Sequence, residues 1–297
     1  MTPAKLLVVD ANAICYSAYY SCGRLSYDKQ KTGIIYGFFW QIQHICRSQR
    51  ITRLAFCWDS RQSHRKRIFP AYKSNRNKKD ADLLACMSQF HELRKEIIPV
   101  LGFANNFHFI GYEADDLIAS LCNFPGPDPG QEYVIASNDQ DLYQLLSDRI
   151  HMYRLSKKLL YTAKDFAQQY GIAPQLWPEV KALAGCRSDT VPGIPGIGEC
   201  RALAYLKESA HEKNVIIDTP VGRAILERNR KLVNLPFQGT PKMVLDWQRL
   251  PSYAEWLSLC EKYGFLSFLR NSDIWESIFS GTPIGNGLER IKIGRKK

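Results

Sequence analysis

The stretch FHFIGYEADDLIASLC, residues 107–122, sets Glu113, Asp115 and Asp116 within four positions at the mouth of an apolar helix. One acid there is ordinary, because a helix N-terminus carries unpaired N–H groups and partial positive charge. Three acids add repulsion that needs a counter-charge. Similar placements recur: Asp10 closes KLLVVD, Asp59 closes RLAFCWD, and Asp139 and Asp141 follow EYVIAS. If these runs are parallel strands, their carboxyl ends share one edge of a sheet and the acids gather there. Hard oxygen donors without a His/Cys ligand set select Mg²⁺ or Mn²⁺ over zinc. Two such ions roughly 4 Å apart suit phosphodiester hydrolysis, one activating water and one stabilising the leaving oxygen.

Elements of the right kind surround these acids. KLLVVD (5–10), RLAFCWD (53–59), NFHFIG (106–111) and EYVIASNDQD (132–141) read as strands. Residues 32–49, 80–102 and the stretch after Glu113 carry helical spacing, and LYQLLS reads as a short helical turn. This alternation predicts an α/β fold, with a mostly parallel central sheet and helices on both faces. Residues 61–79 hold eight Lys/Arg and no acid, and residues 290–297 hold five and no acid. These two patches outweigh the whole net charge of +11, so the remainder is close to neutral. Localised positive charge implies a polyanionic partner, and Phe69 and Tyr72 within the first patch could stack on bases. Nine scattered cysteines without a CxxC pair fit reduced thiols, and no apolar run has the length of a membrane span. A cytoplasmic setting, in a bacterial cell or a phage-infected host, is expected, with no signal peptide and no membrane partner.

The motifs VVDANAICYSAYYS, TGIIYGFFWQI, CWDSRQSHRKRIFPAYKSNR, YEADDLIA, IASNDQDLYQLL and LAGCRSDTVPGIPGIG follow in an order that resembles the 5′-nuclease or flap-endonuclease family. That family includes bacteriophage 5′-3′ exonucleases and the 5′-nuclease domain of DNA polymerase I. The resemblance implies a PIN-like 5′-nuclease fold in three parts. A metal-dependent core would span 1–165, with the basic stretch and a helical arch within 60–100. A helix-hairpin-helix region would follow at 166–235, and a helical C-terminal segment with a basic tail at 236–297. It implies a first metal site of Asp10, Asp59, Glu113, Asp115 and Asp116, and a second with Asp139, Asp141 and Asp189. Lys73 and Arg76 would touch the scissile phosphate, Arg65 another phosphate, and Tyr72 would stack near the unpaired nucleotides. Gly193, Gly196 and Gly198 would let the hairpin approach duplex backbone at a helix N-terminus. The family's hairpin also holds K⁺ through backbone carbonyls.

One motif departs from the pattern. Cys186 stands where the family has the first Asp of G-D-x-S-D-N, and Thr190 where it has Asn. Sulfur is a poor partner for Mg²⁺, so the second site is expected to be weakened while the first is complete. The expected substrates are branched or 5′-ended DNA and RNA–DNA hybrids, cut by a monomer that replication proteins such as a single-strand-binding protein could assist. Two alternatives stay open: a junction-binding protein that has lost catalysis, and a haloacid-dehalogenase-like phosphohydrolase using Asp10 as nucleophile.

Overall fold

The computed structural model describes residues 5–75, 81–123, 130–207, 217–248, 251–270, 272–282 and 284. Its main sheet has six strands: β1 (Lys5–Asp10), β2 (Arg53–Cys57), β3 (Asn106–Phe107), β4 (Glu132–Ser137), β5 (Ile150–Arg154) and β6 (Leu159–Tyr161). Their spatial order is β3-β2-β1-β4-β5-β6, and only the β5–β6 pair is antiparallel. The chain moves outward from β1 to β3, then returns to β1's other side as β4. That reversal opens a crevice at the carboxyl ends of β1 and β4, where ligands of such sheets bind.

Strand β1 is apolar without alternation because both its faces are covered. Leu7 and Val9 enter one core, Leu6 and Val8 the other, and all four lack exposed surface. The first core lies under α1 (Ala11–Cys22) and α2 (Gly33–Gln49). The helices Tyr253–Lys262, Leu266–Arg270 and Asp273–Ser280 close the same core, with the Trp256 and Trp275 rings 4.1 Å apart. The second core lies under α3 (Ala114–Asn123), which buries Leu117, Ile118 and Leu121. Beyond the sheet edge, α4 (Ala163–Tyr170), α5 (Trp177–Ala184), α6 (Glu199–Lys207) and α7 (Pro220–Val233) adjoin an aromatic cluster of Tyr143, Phe166, Tyr170 and Trp177.

Three expectations need correction. The strand expected over 106–111 pairs only at Asn106–Phe107. The helix expected over 80–102 is broken into Ala81–Cys86, Ser88–Glu92, a π turn at Leu93–Ile97 and Ile98–Val100. Most of this run is no free-standing arch. Cys86, Phe90, Leu93, Ile97 and Ile98 belong to the core beneath α2, and the buried Gln89 accepts from the N–H groups of Ile34 and Ile35 at 3.1 and 3.2 Å. Those bonds satisfy donors at the start of α2 that have no partner within the helix. Finally, a boundary at 165 would cut α4, and the C-terminal helices share the first core rather than standing apart.

Candidate active site

The acids at the sheet edge are held by helix starts. Asp10 caps α1: its Oδ1 accepts from Ala13 N at 3.0 Å and its Oδ2 from Ser137 Oγ at 2.7 Å. Asp59 Oδ1 accepts from Ala114 N at 2.8 Å, so the acid after β2 caps α3 instead of its own following segment. The backbone N–H of Asp59 in turn donates to Asn12 Oδ1 at 3.0 Å. Asp139 caps the 3₁₀ turn Gln140–Leu145 through Asp141 N at 2.9 Å, and its own N–H reaches Ser137 Oγ at 3.1 Å. Ser137 thereby ties the acid of β1 to that of β4.

Crowding shows in the protonation of these groups. Burial raises the Asp10 carboxyl to about 7, with the charges of Asp59 and Asp139 adding to it. Asp139 is an exposed residue whose carboxyl is nevertheless desolvated by the groups around it. That desolvation, with the charge of Asp141, raises it to about 6. Asp115 is pushed well above the ordinary carboxylate range by burial, with Asp116 and Glu113 adding repulsion. Glu113 goes the other way. Burial pushes it up, but Lys73 and Arg65 outweigh that and hold it low.

Asp141, Cys186 and Asp189 offer three ligand atoms within 4.8 Å of one another, and among the described residues no other trio of His, Cys, Asp or Glu does so. A cavity of about 10 Å³, the room one water or small ion needs, is lined by Asp115, Asp141, Cys186 and Asp189. Three carboxylates ranged around an ion-sized cavity, Asp115 among them held above its ordinary range, fit a divalent cation. The set expected to be weakened is therefore the more compact. The Cys186 thiol is pushed up by burial, then by Asp141 and Asp189, and lies 3.0 Å from Ser188 Oγ. Lys181 Nζ approaches Asp141 Oδ1 at 3.2 Å and supplies positive charge on this side.

Two residues assigned to substrate or metal have other work. Asp116 is completely buried. Its Oδ1 accepts from Arg65 Nη2 at 2.7 Å and Phe237 N at 2.9 Å; its Oδ2 accepts from Arg65 Nη1 at 2.7 Å and Glu113 N at 3.0 Å. Four donors fill the acceptor sites of a carboxylate, so Asp116 is no metal ligand here. Arg65 is 2% exposed and donates its Nε–H to the carbonyl of Leu232 at 2.8 Å, so it is turned into the interior and away from a phosphate. This fork is the counter-charge that the three acids of EADD require.

Tyr72 is also inward. It is 3% exposed, packs with Cys186, Val191 and Leu232, and donates its hydroxyl to Glu113 Oε2 at 2.9 Å, leaving no face for a base. Phe69 packs beside it under the Arg228 guanidinium, 4.9 Å from the ring centre. Lys73 does reach the acids, with Nζ 2.7 Å from Glu113 Oε2 and 3.7 Å from Asp189 Oδ1. Its backbone is left-handed, φ +55°, and its N–H donates to the Asp189 carbonyl at 2.8 Å. Arg76 and the 290–297 tail lie outside the described residues.

The glycine hairpin joins α5 to α6. A Cβ on Gly193 would fall 2.2 Å from the carbonyl carbon of Ala184, so only glycine allows this approach; Gly196 has φ +82°. Gly198 faces open space at the start of α6. The Gly196 carbonyl accepts from Arg201 Nη1 at 2.7 Å, so one hairpin carbonyl already meets a cation. The fully buried Asn229 clamps the hairpin, donating to the carbonyls of Ala182 at 2.8 Å and Pro192 at 2.9 Å. Sequence reasoning missed Asn12, Ser137, Lys181 and Asn229. Asn12, two residues after Asp10, and Ser137, two residues before Asp139, stood close enough to a motif acid to be found.

The family model described as 5′-3′ exonuclease, N-terminal resolvase-like domain, matches residues 5–171. The chain belongs to the 5′-3′ exonuclease family. A 5′-3′ exonuclease of Buchnera aphidicola subsp. Schizaphis graminum is 30% identical over 230 residues, covering 76% of this chain and 78% of that protein. DNA polymerase I of Mycobacterium bovis is 28% identical over 259 residues, covering 80% of this chain but only 28% of the polymerase. Among solved structures, the D15 flap endonuclease of bacteriophage T5, in a complex with DNA and metal ions, superposes with a TM-score of 0.63 at 22% identity. That match covers 78% of this chain and 89% of the T5 protein, and it shows a shared fold. Membership of a 5′-3′ exonuclease family excludes the dehalogenase-like alternative. Among the described residues no helix is long and apolar enough to cross a membrane.

Proposed function

We propose that this 5′-3′ exonuclease is a divalent-metal-dependent, structure-specific nuclease. It would cut phosphodiester bonds at 5′ ends and single-strand/duplex junctions of DNA and of RNA–DNA hybrids. The observation that carries this reading is the meeting of Asp115, Asp141 and Asp189 around one ion-sized cavity, with Lys73 against Glu113 and Asp189. Mg²⁺ or Mn²⁺ is the expected cofactor, with Asp10, Asp59, Glu113 and Asp115 facing one ion and Asp139, Asp141 and Asp189 the other. What such ions supply when bound is Lewis-acid activation of water and neutralisation of charge on the phosphoryl oxygens.

The chain's own residues do the rest. Ser137 and the N–H groups of Ala13, Ala114 and Asp141 fix carboxylate oxygens that would otherwise splay apart. Lys73 keeps Glu113 ionised and offers its ammonium to the scissile phosphate; Arg76 is proposed as its companion. Arg65 and Asp116 act through position, holding the start of α3 against the Leu232 carbonyl. The hairpin at Gly193, Gly196 and Gly198 would take duplex backbone on its exposed N–H groups, with the salt dependence of phosphate contacts. K⁺ at the hairpin, a monomeric state, help from a single-strand-binding protein and a cytoplasmic setting remain part of this proposal.

The test is cleavage of a 5′-labelled flap with Mg²⁺ under single-turnover conditions, for wild type and Asp115→Asn. Cutting near the branch by wild type, lost in the variant while flap binding persists, supports the reading. Tight binding without cutting in Mg²⁺ or Mn²⁺ would instead favour the junction-binding alternative.

A further inference from the structure

The glycine hairpin, residues 192–198, carries two kinds of carbonyl. Those of Ile194 and Gly198 accept from the backbone N–H groups of Ile197 and Ala202, each at 2.9 Å. Those of Pro192 and Gly196 are served by arginine side chains. Arg228 Nη2 lies 3.0 Å from the Pro192 oxygen, and Arg201 Nη1 lies 2.7 Å from the Gly196 oxygen. A carbonyl that no backbone N–H serves needs a side chain, water or an ion. Here a guanidinium supplies a hydrogen bond and a positive charge together.

The two arginines are held differently. Arg228 is locked: its Nε and Nη2 both donate to Asn229 Oδ1, at 3.1 and 2.8 Å, and its guanidinium lies over the Phe69 ring. The buried Asn229 donates to the same Pro192 oxygen at 2.9 Å, so that carbonyl is doubly engaged. Arg201 is exposed, and among the described residues the Gly196 oxygen is its one hydrogen-bond partner. Its position is unfavourable by the usual rule. It stands in the first turn of α6, where the helix dipole favours an acid such as Glu199 and disfavours a cation. The Gly196 oxygen is the acceptor that offsets this. Backbone carbonyls are also the oxygens that replace the water shell of K⁺, and a positive group already seated on one of them shows that the hairpin accepts a cation.

We infer that Arg201 is a built-in stand-in for the monovalent cation of the hairpin: its guanidinium and K⁺ are alternatives at the Gly196 carbonyl. The Pro192 carbonyl takes no part in the exchange, because Arg228 and Asn229 hold it. Being tethered, the guanidinium competes without the translational cost that a free ion meets. With it seated, the turn keeps its shape whichever monovalent cation is in solution. The inference rests on the proposed role of the hairpin for its effect on duplex, though not for the competition itself.

Two measurements in EDTA test this without turnover. In the first, Tl⁺, a spectroscopic substitute for K⁺, is titrated into the DNA-free full chain and followed by thallium nuclear magnetic resonance. A carbonyl held by Arg201 about nine-tenths of the time binds an ion roughly tenfold more weakly than a free one, so Arg201→Ala should gain that factor in Tl⁺ affinity. The second compares duplex binding in KCl and in tetramethylammonium chloride at equal ionic strength, because phosphate contacts respond to salt. Wild type binds equally in both. Arg201→Ala, with its melting temperature unchanged, loses roughly tenfold in tetramethylammonium and regains it in K⁺. Lys207→Ala removes the same charge from the other end of α6 and responds equally to both salts. Equal Tl⁺ affinity in wild type and Arg201→Ala would overturn the inference, as would wild-type duplex binding that falls in tetramethylammonium as far as the variant's. An Arg201→Ala protein weakened equally in both salts would make Arg201 a phosphate contact only, and would overturn it too. If wild type binds no duplex in either salt while Arg201→Ala still gains Tl⁺ affinity, the proposed role of the hairpin fails and the inference stands.

Discussion

Asp116→Asn separates two views of the EADD motif. If Asp116 were a metal ligand, the substitution would remove activity and leave the fold as stable as before. In the structure it is the buried partner of Arg65, with four donors between 2.7 and 3.0 Å on its two oxygens. An amide presents one acceptor oxygen and an NH₂ group in place of the second. It therefore loses one arm of the fork and turns a donor toward Arg65 Nη1 or Nη2. The guanidinium, 2% exposed, is left as an unpaired buried charge. Breaking a buried pair from one side costs about 3–5 kcal/mol. In a protein of this size each kcal/mol moves the midpoint by about 2–4 °C, so the melting temperature should fall by roughly 10 °C. Thermal and urea unfolding of the metal-free protein measure this directly. The double variant Arg65→Met/Asp116→Leu should recover much of the loss, because replacing both charges removes the stranded one. An Asp116→Asn protein as stable as wild type but unable to cut would refute the argument and return Asp116 to the metal site.

Three further outcomes follow from the same geometry. Cys186→Asp places a hard oxygen beside Asp141 and Asp189, and should lower the Mg²⁺ concentration needed for half-maximal cleavage by roughly tenfold, the lower end of what changes around a metal do; no change in the Mg²⁺ titration would place Cys186 outside the cation's reach. In EDTA, stability should fall as pH rises from about 4 to about 7, because Asp10 (about 7) and Asp139 (about 6) keep protons in the folded state that they release when unfolded; melting at pH 5 and pH 8 with and without Mg²⁺ checks this, and a flat metal-free profile would contradict it. Gly193→Ala must push the hairpin from Ala184 and should weaken duplex binding in low salt; an unaltered duplex affinity would remove the hairpin from the interface.

Much of the edge was legible because its physics is local. Apolar runs closed by Asp10, by Asp59 and by the 139–141 pair define strands and their carboxyl ends, and a parallel sheet turns that sequence pattern into one edge. What hid was pairing across long separations. Arg65 and Asp116 are 51 residues apart and Arg65 to Leu232 is 167, so nothing in a basic run marks one arginine as internal and its neighbours Lys66 and Arg67 as exposed. Tyr72 was misread for the same reason: an aromatic among cations suits base stacking, yet the hydroxyl of Tyr72 has Glu113 to satisfy inside the core. The arch was overextended because an amphipathic helix reads the same whether its apolar face meets a sheet or spans a gap. Cys186 looked like a lost ligand in the sequence, whereas its Sγ sits with two carboxylates at ligand spacing.

The most direct measurement is a titration of the full chain with Mn²⁺, counting bound ions by electron paramagnetic resonance. Wild type should bind two ions, and Asp141→Asn together with Asp189→Asn should remove one while leaving the other. Wild type that binds no Mn²⁺ at millimolar concentration, with its fold intact, would contradict the claim that this acidic edge is built to hold divalent cations.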